Sequence, residues 1–251
     1  MPTSADHRDA ARIADAAGRL LVELRAAAST QGMATGDLRD AGDRQANALI
    51  LWLLAEAHPD DAVLSEEAVD DHARLAADRV WIVDPLDGTR EFGEAGRSDW
   101  AVHVALHEAG ALVAGAVALP ALGLLLSTVP GEVPVVPAAP GGPPRLVVSR
   151  SRPPACVPAI QRALGAELVE MGSAGAKAMA VVRGEVDVYA HSGGQYEWDS
   201  AAPVAVAAAA GLHTSRLDGS PLVYNQANPY LPDLLICRPE LAAAVIEAAA
   251  G

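Results

Sequence analysis

A proline- and glycine-rich segment between residues 130 and 144 is the feature that most constrains how this chain can fold. It contains six prolines and three glycines. Proline lacks a backbone N–H donor and fixes its φ angle, so such a segment supports neither a helix interior nor a central strand. We therefore interpret residues 130–144 as a loop between an N-terminal half, residues 1–130, and a C-terminal half, residues 145–251.

The two halves differ in the pattern of their apolar residues. Helical spacing from Ile13 to Leu24, and again from Ala46 to Leu54, predicts two helices within the first 60 residues. Short apolar runs such as Ala111–Leu119 then predict a sheet, with helices packed on one side of it. The second half alternates predicted strands and helices throughout. The expected fold class is therefore α/β (α+β), a layered sandwich.

The charge and cysteine content exclude several classes of function. There are 18 Lys and Arg residues against 32 Asp and Glu, a formal net charge of −14, so no nucleic-acid partner is expected. No run approaches the roughly 18 apolar residues of a membrane span, and no secretory signal is visible, so no membrane association is expected. Two isolated cysteines, Cys156 and Cys237, form no metal motif, which favours buried thiols in a cytoplasmic protein.

The most informative segment is residues 81–89, Trp-Ile-Val-Asp-Pro-Leu-Asp-Gly-Thr. An apolar strand ends at Asp84, and Pro85 fixes a turn that brings Asp87 back towards it. Two carboxylates so close would repel each other unless a cation lay between them. Mg²⁺ prefers such oxygen ligands, and the Leu86 carbonyl would supply another. An ordinary turn rich in Asp, Pro and Gly explains this segment equally well when it is considered alone.

The residues that follow, Gly88 and Thr89, offer backbone amides at a predicted helix start, which suits a phosphate group. Three further acids are relevant: Glu66 ends another apolar run, Asp199 opens an Ala-rich helix, and Asp43 lies on the predicted helix 40–57. Each also has an ordinary interpretation: Glu66 as a solvated loop residue, Asp199 as a helix cap, and Asp43 as a solvent-facing side chain. Together with residues 84–89 they form a distinctive pattern.

In order and spacing these segments resemble the inositol monophosphatase superfamily, the lithium-sensitive, Mg²⁺-dependent phosphatases of sugars and nucleotides. The resemblance covers nearly the whole chain, from residues 41–43, Ala-Gly-Asp, to residues 217–221, Leu-Asp-Gly-Ser-Pro. It implies the αβαβα fold of inositol monophosphatase and fructose-bisphosphatase. The N-terminal half would carry most metal ligands, and the C-terminal half would complete one compact catalytic unit.

Three segments resemble the CysQ-type 3'(2'),5'-bisphosphate nucleotidases, in particular their actinobacterial type. They are residues 89–92, Thr-Arg-Glu-Phe, residues 172–177, Gly-Ser-Ala-Gly-Ala-Lys, and residues 193–199, Gly-Gly-Gln-Tyr-Glu-Trp-Asp. That branch implies a metal-activated water that removes the 3'-phosphate of 3'-phosphoadenosine 5'-phosphate, giving AMP and phosphate, in sulfur assimilation.

Two alternatives stay open. One is inositol monophosphatase or fructose-1,6-bisphosphatase activity at the same site, although residues 191–195 lack the acid with which inositol-specific relatives hold sugar hydroxyls. The other is a catalytically silent regulator that binds metal or nucleotide on the same fold. Since relatives often form homodimers, a homodimer is plausible.

The resemblance also implies roles for individual residues. The expected ligands of two or three Mg²⁺ ions are Glu66, Asp84, Leu86 through its carbonyl, Asp87 and Asp199. The expected catalytic residues are Glu66 and Thr89, which would orient the water, and Asp43, which would accept a hydrogen bond from Thr89. The expected substrate contacts are Glu66, Leu86, Asp87, Gly88, Thr89, Ser173, Lys177 and Asp199.

Four side chains have an open interpretation at this point. Ser173 and Lys177 are the candidates for the 5'-phosphate and adenosine, with a solvated helix lysine as the alternative for Lys177. His103 and His107 lie four residues apart in a strand-like run, where that spacing gives no shared metal-binding face. We interpret both histidines as structural.

Overall fold

A computed structural model of the chain describes residues 3–70, 72–139 and 141–250. Two five-stranded sheets alternate with three layers of helices, which confirms the layered α/β fold that the resemblance implies. Among the described residues, no helix is long and apolar enough to cross a membrane.

The first sheet contains the strands of the N-terminal half in chain order. They are β1 (Ala62–Ser65), β2 (Arg79–Asp87), β3 (Ala101–Glu108), β4 (Ala111–Leu119) and β5 (Leu124–Ser127). β1 and β2 are parallel, and the other neighbours are antiparallel. Ala109 and Gly110 make the turn between β3 and β4, both with left-handed φ angles. β3 is buried on both faces over seven of its eight residues, so helices must cover the sheet on two sides.

Two long helices cover the outer face of this sheet, α1 (Ser4–Gln31) and α2 (Thr35–Ala57). α1 begins with a capping box between Thr3 and Asp6 and ends at Gly32, whose left-handed φ closes the helix. Both predicted helices are therefore confirmed.

The second sheet belongs to the C-terminal half and has the strand order β7-β6-β8-β10-β9. Its strands are β6 (Arg145–Ser149), β7 (Glu167–Met171), β8 (Val188–Tyr196), β9 (His213–Ser215) and β10 (Tyr230–Cys237). β6 is parallel to both of its neighbours, whereas β10 is antiparallel to both of its own. The remaining helices of the chain are α3 (Thr89–Phe92), α4 (Val157–Leu164), α5 (Ala174–Val182), α6 (Glu197–Ala209) and α7 (Ala242–Ala250).

The middle layer consists of α5 and α6, which lie between the two sheets. The prediction that helices lie on only one side of the first sheet is therefore wrong, because helices from the C-terminal half cover its other face. Packing there is close: a Cβ atom at Gly115 of β4 would lie 2.7 Å from Cβ of Ala205 on α6. The largest apolar core consequently combines residues of both halves.

No helix or strand forms within 130–139 or 141–144, the described residues of the proline-rich segment; Pro140 lies outside them. Arg238 donates a hydrogen bond to the Pro137 carbonyl at 2.9 Å, which attaches this segment to the C-terminal half. Of the two free cysteines, Cys237 is buried as expected and Cys156 is half-buried.

Candidate active site

The end of β2 brings two acidic residues together through an irregularity in the strand. Residues three apart on a regular strand face opposite sides. The pairing of β2 with β3 shifts register between Asp84 and Asp87, and the Leu86 amide donates to Asp84 Oδ1 at 3.0 Å. Gly88 follows with a φ of 87°. The prediction that the strand ends at Asp84 in a turn is therefore wrong: β2 continues to Asp87, and the irregularity within it directs both carboxylates into one place.

A third carboxylate belongs to the middle helical layer. Asp199 lies in the first turn of α6, where its Oδ2 accepts a hydrogen bond from the Tyr196 amide at 2.6 Å. Single oxygen atoms of Asp84, Asp87 and Asp199 lie within 4.8 Å of one another. We call these three residues the acidic cluster.

Glu66 lies beside the cluster because β1 runs parallel to β2. Its amide donates to the Val83 carbonyl at 3.3 Å, next to Asp84. Partial burial of its carboxyl group and the charge of Asp199 raise the pKa of Glu66 to about 7. Burial and the charge of Glu66 likewise raise the pKa of Asp84 well above its ordinary value. Burial and the charge of Asp87 raise the pKa of Asp199 to about 6.

Asp87 differs from the other carboxylates because several donors surround it. Its oxygens accept hydrogen bonds from the Ser173 hydroxyl, from the Ala174 amide at 3.1 Å and from the Gly175 amide at 2.6 Å. His103 Nε2 lies 3.3 Å from its Oδ2. Burial alone would raise the pKa of Asp87, but these groups, His103 foremost, lower it to about 2.

His103 is the site residue that the sequence analysis missed. It is fully buried on β3, and its Nδ1 lies 3.0 Å from the carbonyl of Trp198, the residue before Asp199. The ring thereby connects Asp87 of the first half with α6 of the second. His107 has no such role; it is buried four residues further along β3, and its Nε2 has no hydrogen-bond partner among the described residues.

Thr89 and Asp43 are in contact, as the resemblance implies. Thr89 Oγ1 lies 3.2 Å from Asp43 Oδ1 and 3.0 Å from the Leu86 carbonyl. Asp43 is half-buried on α2 rather than solvent-facing, and burial together with the charge of Glu67 raises its pKa to about 6.

Ser173 and Lys177 lie on the side of α5 that faces the site. The Ser173 hydroxyl donates to Asp87 and accepts from the Ala176 amide at 2.9 Å, so it caps α5. Lys177 is buried rather than solvated; its Nζ donates to the carbonyls of Gly172, at 3.3 Å, and Ser173. The solvated-lysine alternative is therefore wrong. Whether either side chain contacts substrate stays a prediction.

A cavity of about 590 Å³ adjoins the acidic cluster, and we call it the site cavity. Its lining includes Asp87, Gly88 and Asp199 together with Lys177, Arg152, His191 and Gln195. Another cavity, of about 540 Å³, lies beside His7 and Tyr224 and has no acidic residue in its lining. The site cavity differs from it in having Asp87 and Asp199 of the acidic cluster in its lining.

Comparison with known proteins shows the family to which the chain belongs. The chain matches the family model described as the inositol monophosphatase family over residues 7–138 and 145–250. It is 54% identical over 242 residues to the 3'-phosphoadenosine 5'-phosphate phosphatase of Mycobacterium tuberculosis (strain CDC 1551 / Oshkosh), covering 93% of this chain and 89% of that protein.

Two CysQ proteins are also similar. The 3'(2'),5'-bisphosphate nucleotidase CysQ of Escherichia coli (strain K12) is 32% identical over 200 residues, covering 76% of this chain and 81% of that protein. The crystal structure of CysQ from Bacteroides thetaiotaomicron superposes with a TM-score of 0.79 at 26% identity, covering 94% of this chain and 97% of that one. The chain therefore belongs to the inositol monophosphatase family of phosphatases, as its motifs predicted.

Proposed function

We propose that this phosphatase is Mg²⁺-dependent and removes the 3'-phosphate of 3'-phosphoadenosine 5'-phosphate, giving AMP and phosphate. The observation that carries the proposal is the acidic cluster beside the site cavity. It occurs in a chain 54% identical to a mycobacterial phosphatase named for this substrate.

The donor set of the site fits a hard divalent cation. Glu66, Asp84, Asp87, Asp199 and the Leu86 carbonyl offer only oxygen atoms, which is the ligand chemistry of Mg²⁺. Three of the carboxyl groups have raised pKa values because they are buried close to one another, and a cation would relieve that repulsion. Bound Mg²⁺ would neutralise charge on the phosphate and lower the pKa of a water molecule.

Thr89 and Asp43 would position the attacking water. When the Thr89 hydroxyl donates its proton to Asp43, at 3.2 Å, its oxygen lone pairs can accept a hydrogen bond from water. Glu66, at the exposed edge of the cluster, would orient the same water. No nucleophilic side chain is required, because phosphoryl transfer depends mainly on positioning and charge neutralisation.

The substrate would enter through the site cavity. The amides of Gly88 and Thr89 would receive the phosphate that is removed. Ser173 and Lys177 would contact the 5'-phosphate and adenosine, beside the hydrogen bonds that both side chains already donate to protein groups.

The alternative activities are less well supported. Residues 191–195 contain no acid for inositol hydroxyls, and the relatives at 54% and 32% identity are named for nucleotide substrates. A silent regulator would be expected to have lost part of the site, whereas every predicted ligand and Thr89 are present.

The test is phosphate release, with Mg²⁺, from 3'-phosphoadenosine 5'-phosphate, inositol 1-phosphate and fructose 1,6-bisphosphate. We expect kcat/KM for the nucleotide to be at least about tenfold higher, a difference of about 1.4 kcal/mol in transition-state stabilisation. Preference for a sugar phosphate would overturn the proposed substrate, whereas the assignment as a phosphatase would stand. Nucleotide binding without turnover of any ester would favour the regulator.

We further propose a cytoplasmic location, which follows from the two isolated cysteines, and inhibition by lithium, a role in sulfur assimilation and a homodimer, which follow from the family resemblance. Lithium titration of the same assay tests the inhibition, and light scattering of the purified protein tests the homodimer.

A further inference from the structure

A buried arginine that is not a member of the acidic cluster joins the two halves of the chain. Arg74 lies in a short 3-10 helix, Ala73–Ala76, and is only 1% exposed. Burial of a guanidinium costs free energy unless its N–H groups are paired. The partners of Arg74 therefore show which contacts the fold maintains at this cost.

On the side of the first half, Arg74 binds Asp70. Its Nε lies 3.1 Å from both carboxylate oxygens of Asp70, and its Nη2 lies 2.8 Å from Oδ2. A bidentate pair of this kind fixes the orientation of the carboxylate as well as its distance. Asp70 is four residues after Glu66 in the loop that follows β1, so the pair limits how far the Glu66 loop can move.

On the side of the second half, Arg74 binds the loop that precedes β10. Its Nη1 donates to Asn225 Oδ1 at 2.7 Å, and its Nη2 donates to the Gln226 carbonyl at 2.9 Å. The Asn225 amide group returns a hydrogen bond to the Arg74 carbonyl at 3.4 Å. Asn225 has a φ of 58°, a left-handed conformation that asparagine adopts more readily than most residues.

Glu197 connects this loop to the start of α6. The residue is 1% exposed, and each of its carboxylate oxygens accepts a hydrogen bond from a backbone amide at 2.7 Å, Oε2 from Asn225 and Oε1 from Gln226. Glu197 is two residues before Asp199 in the first turn of α6. The contacts of Arg74 therefore extend to the helical turn that carries Asp199.

Glu66 and Asp199 are expected metal ligands that come from different halves of the chain. Two carboxylates repel each other when no cation lies between them, which favours separation of the Glu66 loop from Asp199. A site whose ligands must be collected when the ion binds loses affinity, whereas ligands already held in place bind without that cost. A firm connection between the two segments should therefore raise the affinity for metal.

We propose that Arg74 is a positioning residue of the metal site, which fixes the loop of Glu66 relative to Asp199. It acts through Asp70 on one side and through the loop of Asn225 on the other. The inference rests on the proposed function in one respect, the use of Mg²⁺ by the acidic cluster. Loss of Arg74 should weaken metal binding and leave binding of the substrate at saturating Mg²⁺ nearly unchanged.

The first experiment measures Mg²⁺ binding directly, by calorimetric titration of the protein with magnesium chloride in the absence of substrate. Arg74→Met keeps an unbranched side chain and removes the guanidinium. We expect its Mg²⁺ affinity to fall about tenfold to hundredfold, the range typical for removal of groups that orient metal ligands. Arg74→Lys keeps the charge without the planar fork, so it should recover only part of the lost affinity.

Arg238→Met is the matched control for loss of a buried guanidinium. Arg238 is 7% exposed and donates to Asp187 at 2.7 Å and to the Pro137 carbonyl at 2.9 Å, and none of these three residues is a predicted ligand. Both substitutions should lower Tm, because each leaves buried groups without a partner. Only Arg74→Met should change the Mg²⁺ affinity, and equal losses in the two variants would show that Arg74 merely stabilises the fold.

Asn225→Gly tests the same connection without removing a buried charge. Glycine accepts the left-handed φ and retains the amide that donates to Glu197, so the substitution removes the side-chain contacts with Arg74. We expect the Mg²⁺ affinity to fall about threefold to tenfold, as for loss of a hydrogen bond to a charged group. This variant decides the question if Arg74→Met does not fold, since an unchanged affinity would overturn the proposal.

Phosphatase kinetics separate this inference from the proposed function. Arg74→Met should need more Mg²⁺ for half-maximal rate, whereas KM for the nucleotide at saturating Mg²⁺ should stay within about twofold of wild type. If the wild type releases phosphate and Arg74→Met binds Mg²⁺ equally tightly, the positioning role is wrong and the proposed function stands. If the wild type binds Mg²⁺ but hydrolyses no nucleotide, the proposed substrate fails, and the calorimetric comparison still decides the role of Arg74. A wild type that binds no Mg²⁺ would refute both.

Discussion

Replacement of Gly175 by alanine should disturb the acidic cluster, although residue 175 is not itself one of its acids. Gly175 lies in the first turn of α5, and its amide donates to Asp87 at 2.6 Å. A Cβ atom at this position would lie 2.9 Å from Cε1 of His103 and closer still to its Nε2. His103 is fully buried between Asp87 and the Trp198 carbonyl, so its ring has no free space into which it can move.

The size of the effect follows from these distances. Carbon atoms in contact lie about 3.5–4.0 Å apart, so the ring or α5 must move by roughly 1 Å. Overpacking of this kind costs about 1–3 kcal/mol. In a chain of this length 1 kcal/mol corresponds to about 2–4 °C in Tm, so we expect Tm to fall by about 2–12 °C. Displacement of His103 from Asp87 should also raise the Mg²⁺ concentration for half-maximal activity about tenfold.

Thermal unfolding followed by circular dichroism and a Mg²⁺ titration of phosphate release measure the two effects. Gly36→Ala is the matched control, because no atom lies within 4 Å of its added Cβ and its φ is not left-handed. The intrinsic preference of helices for alanine over glycine favours a small gain in stability at both positions. If Gly175→Ala is as stable as wild type and has the same Mg²⁺ requirement, the contact between His103 and Asp87 does not position the cluster.

Three further predictions concern metal and pH. Asp84→Asn and Asp87→Asn should fold but lose phosphatase activity by more than about a hundredfold, and wild-type activity in a mutant that is folded by circular dichroism would refute the metal site. EDTA should abolish activity, and added Mg²⁺ should restore it. Hydrogen bonds from Arg145 and Arg238 hold the pKa of Asp187 below its ordinary value, although burial alone would raise it. The stability that these ion pairs contribute is therefore present above the unfolded pKa of about 3.9 and is lost as pH falls through the lower folded pKa. Asp187→Asn removes that contribution, so the difference in Tm between pH 7 and pH 3 should be smaller in this variant than in wild type. An unchanged difference would refute the role of Asp187.

Elements with a strong local pattern could be predicted closely from the sequence. β4 has the bounds predicted for it, Ala111–Leu119, because Val and Leu recur in a run bounded by a glycine turn and a proline. β9 was missed, since its three residues, His213–Ser215, have no apolar pattern and belong to the sheet only through pairing with β10. β8 extends to Tyr196 because β10 pairs with its last residues, a stretch of polar residues and glycines that has no apolar pattern.

The acidic cluster could be predicted because its residues lie in short local motifs. Asp84 and Asp87 are separated only by Pro85 and Leu86, so their proximity is visible in the sequence. His103 is different: its contacts are with Asp87, 16 residues earlier, and with Trp198, 95 residues later. No spacing rule connects these positions, and the contact arises only because β3 packs against the middle helical layer.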